Sequence, residues 1–418
     1  MALRKNQRWL TAWEKNYFTD AVLKLKAETK PGNALSTYDQ FVSWHQNNME
    51  AGHFGPAFFA WHREFLRRFE LELQRITNDP TLGLPYWDWS LDNSQTSSIW
   101  GSDFMGPNGR ASDGKVMDGP FAYDKRSDQS KWVLNVRDEG DPLHLRRQFG
   151  PNPPANTSLP TPANVTAALD ATPYDVADYN PSSPSGFRNM AEGNIPPPGS
   201  LMHIRVHAWV GGNMSSAFTS PNDPAFWLHH CYMDKLWDDW QSKHRVQEHY
   251  LPNVGASKGH NLNDPMAPWN EKRPADVLYT ADLDYHYDTD AYLMANDVLY
   301  PSQGIASEDR TFGLTYLPSS GSSSDNNLVF QSLNVRSVRW VSTDRALPDG
   351  WCVMEGDGNL VINDWSNPYK KIWESNTGGN PRGYLVVRNG LLTMHKWYDA
   401  KPINWSVPPP PVGNPPRG

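Results

Sequence analysis

Six histidines fall into two groups. His45, His53 and His62 lie close together near the N-terminus, and His203, His207 and His230 lie close together in the middle of the chain. Neutral imidazole is a ligand for Zn, Cu, Fe and Ni. Each group can therefore supply three nitrogens to one ion, and two facing groups would hold two metals side by side. Such a pair can exchange two electrons at once, as the reduction of O2 requires. Calcium or magnesium would need oxygen donors. A di-iron carboxylate site would need a Glu-x-x-His pair on each of two helices, and only Glu50-Ala-Gly-His53 has that form here. Structural zinc sites usually include cysteine, whereas this chain holds only Cys231 and Cys352. Copper or catalytic zinc is what the donor set leaves.

The elements that must position these rings are legible in outline. His203 and His207 are spaced i, i+4, which on a helix puts both on one face. Pro224 suits a helix start, with Asn222 or Asp223 as cap, and a buried helix is predicted from there to about Gln241. His229 and His230 would leave that helix about 100° apart, so only one of them can join His203 and His207. His45 ends a helix predicted from about Ser36. His53 falls in a glycine-bearing loop, and His62 in the first turns of a helix predicted over about Pro56 to Ile76. Three ligands from separate elements suit a preformed site inside a helical bundle.

Four ordered segments carry a resemblance. They are Trp61-His62-Arg63-Glu64-Phe65-Leu66, Leu84-Pro85-Tyr86-Trp87-Asp88-Trp89, His203-x-x-x-His207-Ala-Trp-Val-Gly-Gly, and Asn222-Asp223-Pro224 through His229-His230 to Trp237. Over about residues 2–298 the chain resembles the tyrosinase family, which includes tyrosinases, catechol oxidases and o-aminophenol oxidases. The resemblance implies a mainly α fold, a four-helix bundle around a type-3 dicopper centre, with O2 as co-substrate. It implies His45, His53 and His62 on one copper and His203, His207 and His230 on the other. His229 would then stand behind the ligands, and Asp234, four residues after His230, is a candidate to orient an imidazole. The resemblance also implies an acidic residue and an Asn or Asp that together hold a water used on monophenols. Glu192 matches the acidic residue. The second position is Ile204, which has no hydrogen-bonding side chain. Phe218, in the loop after Gly211-Gly212, is placed to gate the site.

Composition narrows the classes. The net charge is −8 and there is no basic tract, which argues against a nucleic-acid partner. No apolar run reaches the roughly 20 residues of a membrane span, and the N-terminus shows no apolar leader. A soluble protein is expected, cytoplasmic or exported with its leader removed. Proline and glycine crowd residues 100–200, which predicts a long surface excursion without long elements.

The chain changes character near its end. Asp325-Asn-Asn327-Leu-Val329, Asp357-Gly-Asn359-Leu-Val361 and Asn389-Gly-Leu391-Leu-Thr393 recur at equal spacing, each followed by a tryptophan, Trp340, Trp373 and Trp405. Alternation with a turn in each unit predicts short strands, and three equal units predict a three-fold β-prism with the tryptophans on its axis. The segment resembles the bulb-type mannose-binding lectins. Asp357, Asn359 and Val361 match three positions of their sugar motif, but Glu355 and Asn363 replace its Gln and Tyr, so a glycan partner is expected only through a degenerate site. The predicted organisation is an oxidase domain over 1–300, a linker over 301–324, a small all-β domain over 325–407 and a proline-rich tail over 408–418.

The function expected is a copper oxidase that uses O2 to convert o-diphenols or o-aminophenols to o-quinones or quinone imines. Because of Ile204, hydroxylation of monophenols is expected to be weak or absent. The alternatives are a true tyrosinase, and an oxygen-binding or carbohydrate-binding protein without turnover.

Overall fold

The computed structural model describes residues 2–122, 132–137, 143–150, 158–193, 202–244, 247–289, 291–307, 311–317, 319, 321, 325–388, 390–396 and 399–407. The chain divides into two compact units, Met1–Leu278 and Tyr279–Gly418.

The first unit is helical: α1 (Ala12–Ala27), α2 (Thr37–Asn47), α3 (Met49–Gly52), α4 (Phe58–Thr77), α5 (Pro162–Asp170), α6 (Phe187–Glu192), α7 (His203–Val210) and α8 (Ala225–Lys243). Local signals set their ends. Ser36 caps α2 by accepting from the Asp39 amide, and Thr11 and Glu14 form a reciprocal capping box on α1, satisfying backbone donors that would otherwise have no partner. Neither Asn222 nor Asp223 is the N-cap of α8 as expected: Pro224 holds that position, and Asp223, one residue earlier, takes the Ala225 amide (3.0 Å). Its carboxylate is gripped on both oxygens by buried Arg147, at 2.7 Å each. Within residues 100–200 the described helices longer than one turn are the short α5 and α6, as the proline content predicts. Pro151, Pro153, Pro154 and Pro196 to Pro198 lie outside the described residues.

α2, α4, α7 and α8 form the helical frame, and α4 and α8 share the aromatic core. Phe69 of α4 stacks on Trp227 of α8 with centroids 3.6 Å apart. Tyr38 of α2 accepts from the Trp227 indole (2.9 Å) and donates to the Pro221 carbonyl (2.6 Å). A buried charge network crosses the same interface. Arg63 of α4 meets Asp234 of α8 at 2.5 Å, and Arg4 meets both Asp234 (3.0 Å) and Glu70 (2.9 Å). Removing one member of such a network strands a buried charge, at a cost of about 3–5 kcal/mol. No helix among the described residues is long and apolar enough to cross a membrane.

Among its described residues the second unit contains three four-stranded antiparallel sheets. One orders its strands Asn367–Glu374, Leu360–Asp364, Gly350–Met354 and Val298–Leu299. Another orders Asp399–Val407, Leu391–Lys396, Tyr384–Arg388 and Ala291–Leu293, and the third Gly304–Ala306, Phe312–Tyr316, Leu328–Ser332 and Ser337–Val341. Leu314, Phe330, Met354, Ile362, Leu385 and Met394 are in its core. The predicted boundary needs correction. The β unit begins at Tyr279 rather than after residue 324, because strands at 291–293, 298–299 and 304–306 each complete a sheet whose other strands come later. The stretch 301–324 is therefore not a plain linker: Gly304–Ala306 and Phe312–Tyr316 are strands. Ser322 to Ser324, Asn389 and the tail from Pro408 lie outside the described residues.

Candidate functional site

Both histidine groups converge. In each, one ring nitrogen from every histidine lies within 4.8 Å of the others: His45, His53 and His62 in one, and His203, His207, His229 and His230 in the other. α2 delivers His45, α4 His62, α7 His203 and His207, and α8 His229 and His230. His53 follows directly on the single turn α3, so the segment expected as a loop contains one helical turn. The groups face each other, with the rings of His62 and His230 stacked at 4.4 Å and those of His53 and His203 5.9 Å apart.

Backbone carbonyls orient the rings. The Nδ1–H of His62 donates to the Phe58 carbonyl (2.8 Å), that of His45 to the Phe218 carbonyl (2.8 Å) and that of His207 to the Met214 carbonyl (2.8 Å). His53 makes a longer bond of the same kind to Met49 (3.3 Å). Fixing the proton on Nδ1 leaves the Nε2 lone pair as donor to a metal. The Nε2 atoms of His45 and His62 and both ring nitrogens of His203 are buried with no partner among the described residues. Buried polar atoms are normally satisfied, and a cluster of unsatisfied imidazole nitrogens aimed at one another is what a metal would complete. Burial also keeps the rings unprotonated. It pushes His45 and His207 down to about 4 and His53, His62, His203 and His230 well below their ordinary value. Neutral, softly basic nitrogen without carboxylate suits copper.

Hydrogen bonding separates the adjacent pair on α8. The Trp89 indole N–H donates to Nδ1 of His229 (3.1 Å). A neutral ring that accepts at Nδ1 carries its proton on Nε2, so neither nitrogen has a lone pair for a metal. His230 instead brings its Nε2 within 3.1 Å of the Nε2 of His207.

A cavity of about 240 Å3 opens beside the groups, lined by His53, Phe54, Glu192, His203, Ile204 and His207 among others. Glu192 is buried, and burial raises its carboxyl against the pull of Arg188. One oxygen accepts from the Phe54 amide (2.5 Å) and the other from Arg188 (3.0 Å), which is itself paired with Asp175 (2.7 Å). Ala217 lines the cavity. The neighbouring Phe218, expected as a gate, is half-exposed and is not among the lining residues, and its carbonyl holds His45. Asp234 does not orient an imidazole as expected, because Arg4 and Arg63 take its carboxylate.

Sequence reasoning missed His260. Its Nε2–H donates to the Glu50 carbonyl (2.7 Å) and its Nδ1 accepts from the Ala57 amide (3.3 Å), which clamps the chain on both sides of His53. The signal available was Gly55, where a Cβ would sit 2.5 Å from the His260 ring. In the β unit, Asp357 accepts from the Asn359 amide (3.0 Å), and Asn359 bonds Glu374, Ser375 and Thr377. Val361 is buried.

Residues 35–243 match the family model described as the common central domain of tyrosinase. The tyrosinase of Streptomyces glaucescens is 45% identical over 292 residues, 69% of this chain and all of that protein. The grixazone synthase of Streptomyces griseus is 38% identical over 311 residues, covering 66% of this chain and 96% of that protein. A polyphenol oxidase structure from Thermothelomyces thermophila superposes with a TM-score of 0.52 at 23% identity, over 69% of this chain and 88% of that one, and shares the fold. The convergent imidazoles and these likenesses place the chain in the tyrosinase family: it is a type-3 copper oxidoreductase that binds two copper ions and uses O2 on phenols.

Proposed function

We propose that His45, His53 and His62 hold one copper and His203, His207 and His230 the other, and that the preferred substrates are o-diphenols or o-aminophenols. Products are o-quinones or quinone imines, with weak or absent hydroxylation of monophenols. The observation that carries the ligand assignment is the set of buried, partnerless ring nitrogens facing one another. Bound copper supplies the two-electron redox chemistry with O2.

The protein's share is positional. Carbonyls at Phe58, Phe218 and Met214 fix tautomer and ring direction before any metal arrives. Burial keeps protons off the ligands, and an apolar edge formed by Ile204, Ala208 and Met214 suits an aromatic ring while excluding water. Glu192 is the single carboxylate among the lining residues. Ile204 beside it offers no second hydrogen-bonding group. A water at this edge therefore has weak support, which favours substrates whose vicinal groups lose protons readily. A true tyrosinase is the second reading, favoured by the 45% identity to a protein of that name.

Oxygen uptake by copper-loaded protein with catechol, o-aminophenol and tyrosine in parallel tests the reading. Uptake with the first two and little with tyrosine is expected, and Ile204→Asn should raise the tyrosine rate relative to catechol. Tyrosine turnover as fast as catechol turnover in the unmodified chain would reject the preference.

We further read the Tyr279–Gly418 unit as a β-prism of the bulb-lectin kind. Three equivalent sheets and the contacts of Trp340 with Trp373 (5.9 Å) and Trp405 (6.2 Å) support this. We assign Asp357, Asn359 and Val361 to holding their turn rather than to a glycan, since their polar atoms already bond within the unit. Retention on immobilised mannan would overturn that assignment.

A further inference from the structure

We infer that Phe54 is a substrate-binding residue, an aromatic wall of the cavity held in a strained conformation for that purpose. The inference rests on the phenol-oxidase reading of this cavity. Phe54 has φ +63°, a left-handed conformation that bulky side chains avoid and that persists only where the surroundings enforce it. The enforcing contacts are identifiable. Buried Glu192 takes the Phe54 amide (2.5 Å). The next residue, Gly55, packs so closely on His260 that a side chain there would collide with the imidazole. His260 in turn is tied to Glu50 and Ala57 on either side. The chain is thus fastened at residues 50, 54 and 57 around His53.

The fastening exposes an apolar ring. Phe54 is 44% exposed, although it sits among buried neighbours, and it lines the cavity beside His203 and Ile204. Its ring centroid is 5.9 Å from that of His53. A phenolic ring entering between Phe54 and Ile204 would meet an aromatic face or edge on one side and an aliphatic side chain on the other. Glu192 then acts as a positioning residue: its carboxylate anchors the backbone that carries the wall.

Two substitutions separate ring from backbone. Phe54→Gly removes the ring and relieves the left-handed strain; Phe54→Ala removes the ring and keeps the strain. Both should raise KM for catechol about three- to tenfold, the range of one lost aromatic contact, with kcat within about twofold and two coppers still bound. The Gly variant should unfold at or above the temperature of the unmodified protein, and the Ala variant below the Gly variant. Unchanged KM in both variants would overturn the inference, as would loss of copper from the Gly variant, which would make Phe54 a support for His53 alone. Failure of the unmodified, copper-loaded protein to oxidise any phenol would instead overturn the reading of the site itself.

Discussion

Two clusters of polar side chains, one in each unit, differ in how their atoms are satisfied. In the helical unit the imidazoles of His45, His62 and His203 are buried with ring nitrogens that bond nothing among the described residues. In the β unit, Asn359 uses its carbonyl oxygen on Thr377 and Ser375 and its amide on Glu374. Asn327, one repeat earlier, does the same with Ser342, Thr343 and Arg345. A motif whose polar atoms close on one another holds a turn, and a motif that leaves them open awaits a ligand.

The sharpest test of that contrast is removal of an open imidazole. His203→Ala should lower bound copper from two towards one and cut catechol oxidation by at least about a thousandfold, because electrons must leave in pairs. Atomic absorption and oxygen uptake read the two effects. A variant that kept two coppers would dissolve the distinction.

The matching change in the closed motif should act on stability alone. Asn359→Ala leaves the Thr377 amide short of a partner, and a buried group so stranded costs about 1–3 kcal/mol. Denaturant unfolding followed by the tryptophans of the β unit should shift accordingly, while catechol turnover stays unchanged. A drop in turnover per bound copper would show that the two motifs are not separate in function.

Acid should reach the open cluster first. Folding holds the imidazoles below their ordinary value, His45 and His207 at about 4, chiefly by burial. Between the unfolded value near 6.5 and about 4, the unfolded chain binds more protons than the folded one, so stability falls as pH falls through that window. Burial raises the Asp92, Asp175 and Glu192 carboxyls and works in the opposite direction, but the seven buried rings of the two groups outnumber these three carboxyls. The copper-free protein should therefore lose thermal stability progressively between pH 6.5 and 4. A flat profile there would contradict the burial of the site.

The smallest effect is expected at His229. His229→Gln should leave two coppers bound, since the Trp89 indole already donates to Nδ1 of its ring. Loss of one copper would reassign the adjacent pair.

How much could be read beforehand follows from what sequence encodes. The i, i+4 spacing of His203 and His207 and the cap at Ser36 are local, and α7 and α2 formed as those signals predict. The orienting carbonyls of Phe58, Met214 and Phe218 carry no side-chain signature, so spacing alone pointed to Asp234, which the Arg4 and Arg63 guanidiniums occupy. The start of the β unit was misplaced for a related reason. Its strands at 291–293 and 298–299 are too short to show alternation and acquire meaning only from partners 50 to 100 residues away.

One loop binds the two metal positions into a single system. The carbonyl of Met214 steers His207 in one group, and that of Phe218, four residues later, steers His45 in the other. Gly212 at its start packs against the Arg146 carbonyl, where a side chain would have no room, so the loop has little freedom to serve one group without the other. Already ordered, it presents a carbonyl to each group at once, so a substitution that shifts the loop should disturb both groups together rather than one alone.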